Sequence, residues 1–238
     1  MNEVDKKEYI NIFEKFVSIC SKNNLWYSLA NDTLLSAKTD INYFHNNGIL
    51  EIFITSETFT FLKFNYKKNI IDFTNSDKFY LSTPFFYIKN NNKFIKIIII
   101  TPTSIKKVEN FCNIKNRIKY NYSNFLTFGS NGKIINSISC FIFKLFSYLF
   151  YPIDHKQSYD KLYVENYQGF FAINSLNETP NKNWFPNLTF KREDIRFLSI
   201  KTHVFVECNS FLKSRYGETW ADGVDIKRSN YDYIKIIK

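Results

Sequence analysis

Two charged side chains stand alone inside strongly apolar runs of this chain. Glu51 is the one charge in the run Ile49–Ile54, and Lys96 is the one charge in the run Phe94–Ile100. A carboxylate at such a place can ligate a divalent cation, and an ammonium can hold a phosphate. On neighbouring strands the two charges would instead neutralise each other, since burial heavily penalises an unpaired charge. The pattern predicts a structural Glu51–Lys96 ion pair.

Cysteine and histidine supply no recognisable metal site. The three histidines are isolated, and His203 lies in the alternating run Thr202–Val206, where a strand histidine is usually structural. The cysteines lack the paired spacing of zinc ligands or of thiol-exchange motifs, so free, buried thiols are expected. They are Cys20, Cys112, Cys140 and Cys208.

The amino-terminal elements alternate helix, strand and helix. A first amphipathic helix is predicted by apolar residues at three- and four-residue steps. A short aromatic strand follows at Leu25–Leu29, and Asn31 or Asp32 can then cap a small helix through Thr33–Ala37. The apolar positions of the first helix are Ile10, Phe13, Val17 and Cys20.

The two apolar runs that contain Glu51 and Lys96 are predicted to be core strands. Ile49–Ile54 has the β-branched and aromatic composition of a strand buried on both faces. Ser56 can cap the helix that follows, which carries Phe59, Leu62 and Phe64.

Shorter strands are expected at residues 70–73 and 85–88. The turn at residues 90–92 leads from the second of these into the strand that contains Lys96, and Pro102 is predicted to end that strand. Near the carboxyl terminus, a helix through residues 211–216 is predicted to stop at Gly217.

Residues 134–153 form a long apolar stretch interrupted by Lys144. A lysine in the middle of a membrane span costs about 2.5–3.5 kcal/mol, so a buried or interfacial helix is predicted, with peripheral membrane contact as the alternative. The amino terminus lacks the apolar core of a secretory signal. A cytoplasmic protein, with membrane association left open, is therefore expected.

The bulk composition fits one folded domain. The chain has 238 residues, 45% hydrophobic residues and a net charge of +10. A positive charge suits nucleic acid, an anionic membrane surface or phosphorylated substrates. The lysines are spread along the chain, however, and the excess of Asn, Lys, Ile, Phe and Tyr is typical of an AT-rich genome, so the charge is attributed to codon bias.

Two segments resemble the LicD (fukutin-related) family. Residues 16–54 are similar to its opening block, where a helix and a short strand precede Gly-Thr-Leu-Leu-Gly-Ala; here the sequence is Asp-Thr-Leu-Leu-Ser-Ala from Asp32 to Ala37. Residues 211–220 are similar to its closing signature Leu-x-x-x-Tyr-Gly-x-x-Trp, which falls on Tyr216, Gly217 and Trp220. Trp-Phe-Pro at residues 184–186 is a further anchor.

The resemblance implies an α+β fold with a nucleotidyltransferase-like mixed sheet flanked by helices. It also implies a mostly helical insertion and a carboxyl-terminal extension. Residues 1–238 would then be one domain, with the core at 1–105 and the helical and carboxyl-terminal part at 106–238.

Matching the family's site residues to this sequence weakens the case for catalysis. By resemblance, Asp32, Thr33, Ser36 and Lys38 would bind donor phosphates, and Glu51 and Lys96 would be catalytic. Yet both glycines of the opening block are replaced, and the carboxylate of Asp32 would repel a phosphate.

The family's acidic stretch falls on residues 46–51 and keeps Glu51 alone, while Lys96 replaces another acid. The Mg²⁺ that the family uses wants several oxygen ligands. A Glu beside a Lys is therefore a poor magnesium site.

Three functions follow from these residues. The first is transfer of phosphocholine or a related group from a CDP-type donor to a glycan, with catalysis lost or altered, or with Lys96 replacing the metal at the phosphate. The second is a pseudoenzyme that binds a nucleotide, a glycan or a protein partner. The third, a basic aromatic nucleic-acid-binding protein, lacks an arginine-rich stripe or a known motif.

Overall fold

A seven-stranded mixed sheet forms the centre of the fold. The structure, a computed structural model, describes residues 3–42, 49–76, 79–128, 154–174, 176 and 178–225. Strand order is β1-β2-β5-β4-β3, and β6 pairs with both β5 and β7. The strands are β1 (Tyr27–Leu29), β2 (Leu50–Thr55), β3 (Ile70–Ile71), β4 (Phe85–Tyr87), β5 (Phe94–Thr103), β6 (Gly169–Ala172) and β7 (Trp184–Phe185).

Strands β2 and β5 run parallel at the middle of this sheet. Their register begins at Leu50 opposite Ile95 and ends at Thr55 opposite Ile100. The predicted core strands are thus confirmed, but Pro102 does not end β5, which continues to Thr103. Because β2 stops opposite Ile100, a missing N–H at Pro102 costs no ladder bond on that side.

Seven α-helices and three 3₁₀ turns are found in the described ranges. The predicted amino-terminal helix is α1, and its buried face includes Phe13, Val17 and Cys20. The helices are α1 (Glu3–Lys22), α2 (Asn31–Thr39), α3 (Ser56–Asn65), α4 (Ile105–Phe111), α5 (Ile114–Phe128), α6 (His155–Leu162) and α7 (Cys208–Tyr216). The 3₁₀ turns are Lys67–Asn69, Pro180–Asn183 and Trp220–Asp222.

The predicted helix caps are corrected by one or two residues. Asn31 already belongs to α2, so the cap position falls on Ala30. The methyl side chain of Ala30 makes no cap. The cap of α3 is Thr55, whose hydroxyl accepts from the Thr58 N–H. In the same helix Phe64 is 86% exposed, so it lies off the apolar face.

A two-stranded hairpin packs against β1. It consists of β8 (Arg192–Phe197) and β9 (Ile200–Phe205). The Tyr27 hydroxyl lies 3.1 Å from Thr202 Oγ1, and the Ser28 hydroxyl accepts from the Phe205 N–H at 3.1 Å. The hairpin thereby extends the main core, in which Phe205 and Phe211 are both buried.

The carboxyl-terminal half contributes strands as well as helices. Strand β6 pairs antiparallel with β5, so residues beyond 105 complete the same sheet. Cys20, Cys112 and Cys208 are free and buried, as predicted, whereas Cys140 and the apolar stretch 134–153 lie outside the described residues. Within the described ranges no helix meets the length and apolarity that a membrane crossing requires.

Candidate functional site

Glu51 and Lys96 face each other at the centre of the sheet. The parallel pairing of β2 and β5 sets them in direct register, and the Lys96 ammonium lies 3.2 Å from a Glu51 carboxylate oxygen. The same ammonium donates to Asn174 Oδ1 at 2.5 Å. Only 8% of the Glu51 side chain and 16% of the Lys96 side chain are exposed. The predicted ion pair is confirmed, while catalytic roles for the two residues stay predictions.

The start of α2 is fixed to the strand that carries Glu51. The Thr33 hydroxyl accepts from the Glu51 N–H at 2.8 Å, and the Glu51 carbonyl accepts from the Ala30 N–H at 3.0 Å. Ser36 donates to the Asp32 carbonyl at 2.7 Å within the helix. The Thr33 bond is buried, and together with the Ala30–Glu51 bond it holds the start of α2 beside β2, whereas the Ser36 bond is internal to the helix.

Asn31, the first residue of α2, is both strained and unsatisfied. Its φ is +43°, in the left-handed region that Asn tolerates better than most residues. The residue is 1% exposed, and neither its Nδ2 nor its Oδ1 has a hydrogen-bond partner in the described structure. The first N–H groups of a helix also lack intrahelical acceptors. A polar ligand at this helix start would satisfy both.

Tyr216 of α7 reaches Asp32 across 184 positions of sequence. Its hydroxyl donates to Asp32 Oδ1 at 2.6 Å. Burial and the nearby Glu51 carboxylate raise the pKa of Asp32 to about 6, against the lowering effect of Tyr216 and the cations Arg215 and Lys96. Burial also raises the pKa of Tyr216 well above its usual range, which keeps the phenol as the donor. The segments that resemble the family's opening and closing blocks are therefore in contact.

Arg215 anchors α7 through a partly buried bidentate pair. Its Nη1 and Nη2 each donate to one Glu178 carboxylate oxygen at 2.9 Å. Asn183 accepts from Arg215 at 3.0 Å and donates to Glu178 at 3.0 Å. Burial raises the pKa of Glu178, but the Arg215 charge and these hydrogen bonds outweigh it and hold the pKa below its usual value. This triad fixes the helix turn from which Tyr216 projects.

Four members of this charged network were missed by sequence reasoning. Arg215 precedes Tyr216 in the closing signature, at a position that the signature leaves unspecified, and this adjacency is its one signal in the sequence. The other three lie between β6 and β7, where no periodicity or motif marks them. They are Asn174, Glu178 and Asn183.

The remaining predicted site residues take up other positions. Lys38 is in the last turn of α2, with its ammonium 3.9 Å from the Glu193 carboxylate on β8. Gly217 ends α7 with φ +97°, a conformation that strains any residue with a Cβ. Trp220 packs half-buried against the main core. Helix termination accounts for Gly217, and packing against the core accounts for Trp220.

The donor atoms around Glu51 do not fit a magnesium ion. A magnesium ion needs near-octahedral oxygen ligation, but the Glu51 carboxylate is bonded to an ammonium and the Asp32 carboxylate to a phenol. Lys96 would repel a second cation there. Across the ranges that the structure describes, no three His, Cys, Asp or Glu side chains converge on one point. Residues 43–48, which precede β2 outside those ranges, contain no Asp or Glu.

A cleft of about 360 Å³ lies between α7 and the Trp-Phe-Pro segment. Its lining includes Trp184, Pro186, Phe211 and Ser214. Neither Glu51 nor the residues bonded to it belong to that lining. The apolar concavity at α7 and the charged network are thus different surfaces.

Comparison with known proteins adds no relative. No family model matches the chain, and no curated protein or solved structure matches it either. The fold is defined as a mixed α+β architecture with a buried charged network where α2, β2, β5 and α7 meet. The family resemblance depends on the residues quoted above.

Proposed function

We propose that this chain is a degenerate LicD-type protein, on a nucleotidyltransferase-like fold, that binds a phosphorylated CDP-type donor but has lost metal-dependent transfer to a glycan. One observation carries the proposal. Lys96 occupies the β5 position where the resemblance implies an acid, and its ammonium lies 3.2 Å from Glu51, the last acid of the family's acidic stretch. In this proposal the strands and helices around the site are retained, while the Lys96 ammonium neutralises the Glu51 carboxylate.

Contact between the two resembling segments supports the family assignment. Tyr216 bonds Asp32 at 2.6 Å, and Thr33, the retained threonine of the opening block, bonds the backbone of Glu51. Chance similarity in two segments so far apart in sequence gives no reason for them to meet at one site. If the opening and closing blocks evolved as one unit, by contrast, their contact is expected.

The start of α2 supports retained ligand binding. A buried Asn31 with two unpartnered amide atoms is costly, at about 1–3 kcal/mol per unsatisfied group. A phosphate would accept from the Asn31 amide and from the first N–H groups of α2. The Asp32 carboxylate opposes this when ionised, and its pKa of about 6 means that mild acid removes the repulsion.

Isothermal titration with CDP-choline tests the proposal. We expect binding that is independent of magnesium, stronger at pH 5.5 than at pH 7.5, and weakened by Asn31→Leu. Lys93→Ala is the matched control for the Lys96→Ala variant, because it also removes a lysine from an ion pair, with Asp5 at 2.6 Å, but on the turn before β5. It should leave binding unchanged.

Each alternative predicts a different result. Magnesium-dependent binding, or release of CMP with transfer of phosphocholine in the presence of magnesium, would refute the loss of metal-dependent chemistry. Magnesium-independent transfer that Lys96→Ala abolishes would instead assign the metal's role to Lys96. The absence of binding to cytidine nucleotides would refute the retained donor site.

A further inference from the structure

Three helices outside the charged network form a concentrated basic surface. Helices α4, α5 and α6 enclose a concavity of about 420 Å³. Its lining residues are Lys107, Asn110, Phe111, Asn113, Lys115, Asn116, Lys119 and Lys161. Four ammonium groups therefore share one concavity, and none of its described lining residues is acidic. We call it the lysine surface.

Three of the four lysines, Lys115, Lys119 and Lys161, are close enough to repel one another. Burial and the charges of Lys161 and Lys115 lower the pKa of Lys119. Lys107 donates to the Tyr163 carbonyl at 3.0 Å, which joins α4 to the end of α6. A cluster of like charges of this kind is relieved by a bound anion.

The surrounding helices carry the same sign of charge. Together, α4, α5 and α6 contain seven basic residues and two acidic ones. These helices thus supply a net +5 out of the +10 of the whole chain. Half of the net charge of the chain thus comes from the three helices that line this concavity.

Exposed apolar side chains lie at the ends of the same three helices. Ile114, at the start of α5, is 76% exposed, and Ile105, at the start of α4, is 50% exposed. Tyr163, whose carbonyl Lys107 contacts, is 43% exposed. Large aliphatic groups in water next to a basic cluster are the composition of a membrane-interface surface, where lysines meet headgroups and apolar groups enter the acyl boundary.

We propose that the lysine surface docks on an anionic lipid bilayer, with lysine ammonium groups on lipid phosphates and Ile105, Ile114 and Tyr163 at the interface. Charge complementarity favours an anionic partner, and the exposed isoleucines favour a lipid bilayer over other polyanions. A soluble phosphate gains nothing from exposed isoleucines, and a nucleic acid, whose phosphates lysines also bind, gains little from them. The proposal is independent of the donor site at α2.

Vesicle cosedimentation of the full chain tests this docking. We expect binding to phosphatidylcholine vesicles that contain about 30% phosphatidylglycerol, weak binding to pure phosphatidylcholine, and loss of binding at high salt. Each surface lysine contributes about 1 kcal/mol, or about fivefold in the partition coefficient. The triple variant Lys115→Gln/Lys119→Gln/Lys161→Gln should therefore bind about a hundredfold more weakly.

A charge-matched control separates the surface from the overall charge. Lys22, Lys67 and Lys68 are exposed elsewhere, and the triple variant of these to Gln removes the same three charges. It should keep most of the binding, while Ile114→Ser should weaken binding at unchanged net charge. Circular dichroism and thermal melts confirm that each variant is folded.

Several outcomes would overturn the proposal. They are equal losses in the two triple variants, equal binding to neutral and anionic vesicles, or no vesicle binding by the wild type. Saturable binding of inorganic phosphate without vesicle binding would make the concavity a small-anion site. Tight, lysine-dependent binding of single-stranded RNA without vesicle binding would assign it to nucleic acid.

Discussion

Replacing Lys96 alone will destabilise the protein more than removing both charges of its pair. Lys96→Met keeps the apolar stem but leaves the Glu51 carboxylate, with 8% of its side chain exposed, close to Asp32 and without its cation. Removing one partner of a buried pair costs about 3–5 kcal/mol. The Coulomb energy of two charges 3.2 Å apart at an effective dielectric constant near 20 is about 5 kcal/mol, which agrees with that range.

A double-mutant cycle measures the coupling directly. Glu51→Gln and Lys96→Met are made singly and together, and the free energy of unfolding is taken from urea denaturation. We expect the double variant to recover most of the loss, because no charge is left unpaired. The coupling free energy should be at least about 2 kcal/mol.

An exposed pair provides the control for this cycle. Lys201 and Asp194 lie 2.6 Å apart on the β8–β9 hairpin, with 73% and 54% of their side chains exposed. Their coupling should be much weaker than that of the buried pair, because water screens exposed charges. If the Glu51–Lys96 coupling is equally small, the pair is solvated, and our argument that Lys96 closes the metal position is wrong.

Two further predictions concern the start of α2. The pKa of Asp32 is about 6 in the folded protein, whereas an unperturbed aspartate side chain has a pKa of 3.8, so the folded state loses stability as the pH rises from about 4 to about 6. Asp32→Asn should therefore stabilise the protein by up to about 3 kcal/mol at pH 8 and by little at pH 4, as measured by urea denaturation. A gain of equal size at both pH values would contradict the raised pKa of Asp32. Because φ of Asn31 is +43°, Asn31→Gly should leave the protein about 1 kcal/mol more stable than Asn31→Ala, as read from thermal melts. Both variants remove the unsatisfied amide, and only alanine is strained in the left-handed region. The reverse order would show that the left-handed conformation is not what selects asparagine.

Local periodicity was enough to place the main elements. The steps of the first helix and the continuous apolar runs around Glu51 and Lys96 predicted α1, β2 and β5, since side-chain spacing reports helix and strand directly. Gly217 was correctly predicted to end α7. The errors were at ends, at Pro102 and at the caps of α2 and α3, where the outcome depends on which neighbouring strand or backbone group is present.

The ion pair was the part of the site that the sequence predicted. Burial penalises an unpaired charge, and two opposite charges in direct register on neighbouring strands offset that penalty by forming an ion pair. The partners Asn174, Glu178 and Arg215 had no such signal. They come from loops and from an unspecified signature position, and only the packing of α7 against α2 brings them together.

The sequence by itself determined the secondary structure of the core, the poverty of carboxylates and the total charge, because these follow from residue type and spacing. The tertiary structure decided which distant residues meet: Tyr216 with Asp32, and four lysines from three helices on one surface. The lysines had looked evenly dispersed, and that interpretation was wrong for these four. Contacts between residues far apart in the chain depend on how elements pack, and residue spacing along the chain does not encode that packing.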